Sequence, residues 1–142
     1  MPWEEIEHTA DAAFRVWADS LEELLVEAAK ALFDLITDLD AVEPREEVRI
    51  EVTEAEDEVE LLHDWLEEIH FQHEVNGLLF SEFEVDELER TDDGWRAVGT
   101  ARGEPYDPDR HPFHTEVKAI TYHNMRVERE DGRWVAEYVV DL

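Results

Sequence analysis

Two acidic positions at opposite ends of the sequence are the first candidates for chemistry. Asp11 closes the segment Glu7-His8-Thr9-Ala10-Asp11, whose last three residues form a predicted turn directly after a predicted strand. Turn carboxylates commonly hydrogen-bond their own backbone, and the local sequence favours this plain role. The alternative is that Asp11 binds a cation, with His8 beside it, which would make the turn part of a functional site.

A second group of carboxylates lies at the carboxyl end. Val139 and Val140 continue a predicted strand up to Asp141, and Leu142 adds its α-carboxylate. If that strand is docked, the two carboxylates are held side by side and could bind a hard divalent ion such as Ca²⁺, Mg²⁺ or Mn²⁺. The alternative is an ordinary exposed end without a function.

The segment of residues 103–114 and the strand predicted after it carry further candidates. A proline-containing irregular segment of this length is uncommon in a small domain unless it has a function, so it either contacts a partner or connects two sheet edges. Residues 116–128 form a predicted strand with Glu116, Lys118 and His123. Lys118 is one of only two lysines, which suggests that a compact ammonium group is useful there.

Three histidines, His63, His70 and His73, lie on a predicted helix. His70 and His73 are three residues apart and could reach one ion. Their apolar neighbours favour packing or surface roles instead. The sequence has no P-loop, zinc-protease signature or nucleophile elbow.

The charge balance limits the classes of partner. The chain has 40 acidic and 12 basic residues, for a formal net charge of -28. We interpret the excess as adaptation to the salt-filled cytoplasm of a halophilic archaeon, because at molar salt the Debye length falls to roughly 3 Å and self-repulsion is screened. Without a basic cluster, direct binding to nucleic acid is not expected.

Length and composition predict one cytoplasmic domain over residues 1–142. The chain has no cysteine for disulfides, no secretory signal, and no apolar stretch near the ~20 residues that span a membrane. We therefore expect neither disulfide bonds nor membrane insertion.

Periodicity predicts the elements that must position these residues. One helix begins after Ser20, with Glu23 at capping-box spacing, and a second begins after Asp57, with Glu60 at the same spacing, and ends at Asn76-Gly77. The predicted strands are residues 3–8, 12–18, 47–53, 79–88, 95–102, 116–128 and 134–140. This order predicts an α+β fold, a mostly antiparallel β-sheet with two helices packed on one face.

Several short motifs, in this order and spacing, resemble the archease family over essentially the whole chain. They are Trp3-Glu4, Glu7-His8-Thr9-Ala10-Asp11, Asp19-Ser20-Leu21-Glu22-Glu23, Ala31-Leu32-Phe33-Asp34, Asn76-Gly77-Leu78-Leu79-Phe80, Gly103-Glu104, Glu116-Val117-Lys118-Ala119-Ile120-Thr121-Tyr122-His123 and the final Asp141-Leu142. The resemblance implies an α+β domain with a strand-helix-strand-strand motif. It further implies a protein cofactor, not an enzyme, that activates an RtcB-type RNA ligase in tRNA splicing and RNA repair by promoting ligase guanylylation and multiple turnover.

The resemblance also implies a site for a divalent metal ion. Its ligands would be Asp11, Asp141 and Leu142, where Leu142 replaces the isoleucine that the family often has. Residues expected to surround this site or to contact the ligase are His8, His114, Glu116, Lys118 and His123. We expect a monomer whose protein partner is the ligase. The alternatives are a stand-alone metal-dependent hydrolase and a general chaperone or adaptor without a metal.

Overall fold

The computed structural model describes residues 2–6 and 11–142. Its strands are β1 (Trp3–Ile6), β2 (Asp11–Ala18), β3 (Glu46–Ala55), β4 (Leu78–Thr91), β5 (Gly94–Pro105), β6 (Ala119–Ile120), β7 (Arg126–Glu130) and β8 (Arg133–Asp141). Its helices are α1 (Leu21–Ile36) and α2 (Glu58–Asn76), with a short 3-10 turn at Leu39–Ala41.

The α+β class is confirmed, with a difference in how the strands are grouped. Every strand pair is antiparallel, but the strands form two sheets where one was predicted. The first sheet has the order β1-β2-β8-β6, with β7 also pairing to β8, and the second has the order β3-β5-β4. The chain crosses from the first sheet to the second through α1, and after Pro105 it returns to the first sheet at β6, beside β8. Within the second sheet, β3, α2, β4 and β5 follow one another as strand, helix, strand and strand.

Both helices begin where the sequence predicts, and α2 also ends at the predicted Asn76-Gly77. The Ser20 hydroxyl accepts a hydrogen bond from the Glu23 amide at the start of α1, and the Asp57 carboxylate accepts one from the Glu60 amide at the start of α2. Gly77 ends α2 in the left-handed region at φ 66°, which costs little because glycine has no Cβ.

The core lies where the helices cover both sheets. Trp65 on α2 is fully buried, and its indole N–H donates to the Leu25 carbonyl of α1 at 2.9 Å. Tyr138 on β8 is also fully buried, and its hydroxyl donates to the Ala28 carbonyl of α1 at 2.8 Å. These bonds fix α1 against α2 and against the first sheet, which sets the position of the strand ends.

The predicted strand over residues 116–128 is wrong. Only β6 and β7 are strands there, and both pair with the same edge of β8. From Ile120 to Arg126 the chain advances six residues, while the partner strand moves back only three, from Val140 to Glu137. The excess is taken up in a turn in which the Met125 amide donates to the Tyr122 carbonyl at 3.1 Å.

No helix in residues 2–6 and 11–142 is both long enough and apolar enough to cross a membrane.

Candidate functional site

Asp11 and Asp141 are brought together by strand pairing. Asp11 opens β2 and lies directly opposite Asp141 at the end of β8. Residues so paired have Cβ atoms about 4.5–5.5 Å apart, and both side chains point to the same face of the sheet. Asp11 is half-buried and Asp141 is exposed. The two acidic positions, 130 residues apart in the sequence, therefore form one cluster.

The far side of Asp141 is held as well. Ala119 on β6 lies opposite Asp141, and the Lys118 amide donates to the Asp141 carbonyl at 2.8 Å. Asp141 is thus fixed between two neighbouring strands rather than fraying. Leu142 follows directly with 39% of its surface exposed. Hydrogen bonding on both sides therefore fixes the backbone of Asp141.

Strand alternation determines which face carries the carboxylates. Phe14 and Tyr138, opposite each other, face the core under α1, and their rings are 5.4 Å apart. Asp11 and Asp141 are an odd number of residues from Phe14 and Tyr138 along their strands, as are Ala13 and Val139. Their side chains therefore lie on the face turned away from α1.

The carboxyl end of α1 lies at the same end of the first sheet. The two-residue connection between β2 and α1 turns the helix back along the strand, and the helix and strand are both roughly 25 Å long. The His114 amide donates to the Ile36 carbonyl at 2.8 Å, and the Thr37 hydroxyl donates to the Pro112 carbonyl at 2.7 Å. These bonds place the end of the 103–114 segment at this end of the fold.

Negative charge accumulates at that helix end. Burial, followed by the charge of Asp38, raises the pKa of Asp34, while His114 opposes the rise. The His114 Nε2 lies 2.8 Å from the Asp38 carboxylate. The last turn of α1 has no basic residue, so its own dipole adds to the negative potential. His114 is a contact of this acidic end, across the sheet from the Asp11 and Asp141 side chains.

The remaining predicted residues are dispersed. Glu116 and Lys118 are exposed on the segment that leads into β6, and Lys118 forms no ion pair with any residue in the described part of the chain. His123 lies in the turn beyond β6, where its Nε2 is 3.2 Å from the Asn124 amide nitrogen. His8 lies outside the described residues.

A buried ionic network anchors the 103–114 segment, and the sequence did not indicate it. Glu104 and His111 are each only 2% exposed. Glu104 accepts two hydrogen bonds from Arg110 at 3.0 Å, one from His111 Nε2 at 2.9 Å and one from the Glu43 amide at 2.8 Å. The Arg110 guanidinium has the largest effect on Glu104 and the Glu43 amide the next largest. Both stabilise the charged carboxylate, and its pKa falls to about 2. A charged residue at the end of a strand was the only signal in the sequence.

Two histidines of α2 contact backbone carbonyls outside the helix, one in the segment before β6 and one at the start of β4. His70 Nε2 contacts the Val117 carbonyl at 2.8 Å, and His73 Nδ1 contacts the Leu78 carbonyl at 2.6 Å. Burial lowers the pKa of His73, which favours its neutral form. Each ring has its own carbonyl partner, which agrees with the packing role preferred for both.

His63 belongs to a group that could hold a metal ion. His63, Asp64 and Glu67 each offer one ligand atom, and these atoms lie within 4.8 Å of one another. No other group of three or more such side chains occurs in residues 2–6 and 11–142. The sequence favoured a packing or surface role for His63. The spacing of His63 and Glu67, four residues apart on one helix face, was the available signal.

Comparison with known proteins identifies relatives along nearly the whole chain. The model of the archease protein family matches residues 3–142. The protein archease of Methanopyrus kandleri is 81% identical over 142 residues, covering all of both chains. The protein archease of Pyrococcus abyssi is 46% identical over 141 residues, covering 99% of this chain and 98% of the relative.

Solved structures agree with the fold. The solution structure of a Methanobacterium thermoautotrophicum protein has a TM-score of 0.88 and 42% identity, with 99% of each chain covered. A Thermotoga maritima crystal structure, described as an archease and possible chaperone, has a TM-score of 0.61 with 98% and 96% coverage. At 23% identity that second likeness bears on the fold alone.

Proposed function

The chain belongs to the archease family, and from this premise we propose that it is a metal-binding cofactor of an RtcB-type RNA ligase. It would promote guanylylation of the ligase and its multiple turnover in tRNA splicing and RNA repair, without being a ligase itself. The observation that carries the proposal is the register of β2 and β8, which sets Asp11 directly opposite Asp141.

The donor set suits a divalent ion with a preference for oxygen. Two carboxylates directly opposite on neighbouring strands repel each other, and a cation relieves this cost. Asp11, Asp141 and the carboxylate of Leu142 would hold the ion, which fits Ca²⁺, Mg²⁺ or Mn²⁺ better than a thiol-seeking metal. When bound, the ion supplies positive charge on a surface that is otherwise strongly acidic.

The charge of the chain supports a protein partner over direct RNA binding. With 40 acidic residues against 12 basic ones, the chain repels phosphate at long range. The RNA would accordingly be held by the ligase. Lys118, adjacent in sequence to the β6 residue that faces Asp141, is an exposed cation available to a carboxylate or phosphate of the complex. Glu116, His114, His123 and His8 remain candidates for the surrounding contacts.

The test is a guanylylation assay of the cognate ligase with and without this protein, in the presence of Mn²⁺ or Mg²⁺. We expect the wild-type protein to increase the rate of ligase-guanylate formation and the Asp11→Asn variant to lose most of the increase. Asp92→Asn is the matched control, because Asp92 is an exposed hairpin residue on the other sheet. Equal stimulation by Asp11→Asn and Asp92→Asn would refute the role of Asp11.

A second variant tests the carboxyl end. Appending a few residues after Leu142 replaces the α-carboxylate by an amide, so metal affinity measured by calorimetry and ligase stimulation should fall together. Nucleotide or RNA turnover by the pure protein would instead support a hydrolase. Stimulation that is unchanged by removal of divalent ions would support an adaptor without a metal.

A further inference from the structure

The ring of His63 has more acceptor neighbours than it has protons to donate. Its Nε2 lies 3.2 Å from the Ile120 carbonyl oxygen and 3.2 Å from Glu67 Oε2. Its Nδ1 lies 3.1 Å from Asp64 Oδ1. All three neighbours are acceptors, while a neutral imidazole carries a single N–H. One ring nitrogen therefore presents its lone pair to oxygen lone pairs unless a cation or a second proton intervenes.

We propose that His63 Nε2, the Glu67 carboxylate and the Ile120 carbonyl form a second metal site, which takes a first-row transition ion such as Zn²⁺. Asp64 is then the positioning residue, since it accepts a hydrogen bond from Nδ1–H and fixes the tautomer that leaves the Nε2 lone pair free to coordinate. This carboxylate–histidine–metal arrangement is the usual one in protein zinc sites. The mixed nitrogen and oxygen donors distinguish it from the all-oxygen cluster at Asp11.

The distances match coordination. Zinc binds imidazole nitrogen and carboxylate oxygen at about 2.0–2.2 Å, so two ligand atoms of a tetrahedral site lie about 3.3–3.6 Å apart, slightly farther than the donors here. Nε2 is 3.2 Å from both other donors. Only small adjustments of the Glu67 side chain, 61% exposed, are needed to close around an ion.

The surroundings favour a cation. The side chains of Asp64 and Glu67 border a surface cavity of about 250 Å³, together with Glu51 and Glu68. Glu67 and Ile120 also line a second cavity of about 250 Å³, where Glu74 and Lys118 contribute one charge of each sign. The Tyr122 ring stacks on the His63 ring with centroids 3.8 Å apart, covering one side of the imidazole. The histidine is 93% buried between that ring and the helix, while Glu67 keeps a path to solvent open.

The proposed metal site would also connect α2 to β6, the strand that lies beside Asp141. Ile120 is on β6, whose other residue, Ala119, faces Asp141. A bound ion therefore stabilises the contact between α2 and the strand next to Asp141. The inference is independent of the proposed ligase role, because it concerns ion binding by the isolated protein.

The test is a Zn²⁺ titration of the Asp11→Asn protein, followed by calorimetry and by long-range ¹H–¹⁵N correlation of the imidazoles. The Asp11→Asn substitution weakens metal binding by Asp11, Asp141 and Leu142, so that this first site contributes less to the measured heat. We expect one equivalent of Zn²⁺ to shift the Nε2 resonance of His63 and to leave Nδ1 protonated. Ca²⁺ in excess should not reproduce this shift, since it prefers oxygen ligands.

Glu67→Gln tests the ligand with little risk to the fold, because Glu67 is exposed. It should weaken Zn²⁺ binding at least about tenfold, and Asp64→Asn should weaken it by a similar factor through the tautomer. Glu82→Gln, an exposed carboxylate on β4, is the control with the same charge change and should bind as before. The proposal is overturned if Glu67→Gln and Glu82→Gln bind Zn²⁺ equally, or if His63 is an imidazolium that Zn²⁺ does not alter.

Discussion

Replacing Glu104 by glutamine tests whether the buried ionic network holds the 103–114 segment. The substitution keeps the shape of the side chain and removes the charge that Arg110 and His111 contact. The pKa of Glu104 falls from 4.5 to about 2 on folding, and at 1.36 kcal/mol per unit this corresponds to about 3 kcal/mol of stability at pH 7. The Arg110 side chain is 42% exposed, so solvent screens part of this interaction and lowers the figure. We therefore expect Glu104→Gln to lower the free energy of unfolding by about 2–3 kcal/mol at pH 7.

The pH dependence has a definite sign. A carboxylate whose pKa is lowered in the folded state stabilises the fold above its unfolded pKa, and the contribution is lost as the pH falls toward the folded pKa. The difference between wild type and Glu104→Gln should therefore shrink by about 2 kcal/mol from pH 7 to pH 3. Glutamine does not titrate, so the difference isolates Glu104 from the many other carboxylates.

The assay is urea unfolding followed by circular dichroism, at several pH values and in about 1 M salt to screen the surface charge. Glu47→Gln is the control, because Glu47 also pairs with an arginine, Arg102, at 3.0 Å but is 66% exposed. An exposed pair of this kind contributes about 1 kcal/mol or less. Equal destabilisation by the two variants at pH 7, or a difference that does not change with pH, would refute the buried network as the anchor.

Two further substitutions test the elements that frame the site. Gly103→Ala on β5 should lower the free energy of unfolding by about 3 kcal/mol, because the added Cβ would overlap the Leu79 carbonyl of the neighbouring strand. Urea unfolding would measure this loss, with Ala101→Gly on the same strand as the comparison. Asp57→Ala should lower the free energy of unfolding by about 1 kcal/mol, because it removes the 2.9 Å hydrogen bond that the Glu60 amide donates at the start of α2. A thermal unfolding midpoint equal to that of Asp92→Ala would contradict the capping role.

Local signals predicted the helices well. Ser20 and Asp57 act as caps at the predicted positions, and Gly77 ends α2 as its freedom at positive φ suggests. These features depend on residues within one turn of each other, so a single sequence contains the information. The α+β class followed from the order of such elements.

Pairing between distant segments was not predictable in the same way. The strand over residues 116–128 was wrong because alternation cannot reveal that the chain between Ile120 and Arg126 has three residues more than the partner strand opposite it. The local sequence favoured Asp11 as a plain turn residue, and no periodicity indicates that it faces Asp141. That pairing was expected only from the family resemblance. The acceptor-rich position of His63 depends on Ile120, which is 57 residues away, so spacing on α2 alone could not show it.

The placement of β8 has a consequence for how the protein is made. It is the last strand in chain order, yet it lies in the middle of its sheet, between β2 and the pair β6 and β7. During synthesis β2 can pair only with β1 until residues 133–141 leave the ribosome, so the first sheet closes through contacts of very long sequence separation, which form slowly. The second sheet, built from consecutive strands with α2 between them, can fold earlier. Asp141 would therefore come to lie opposite Asp11 only after β8 has been translated.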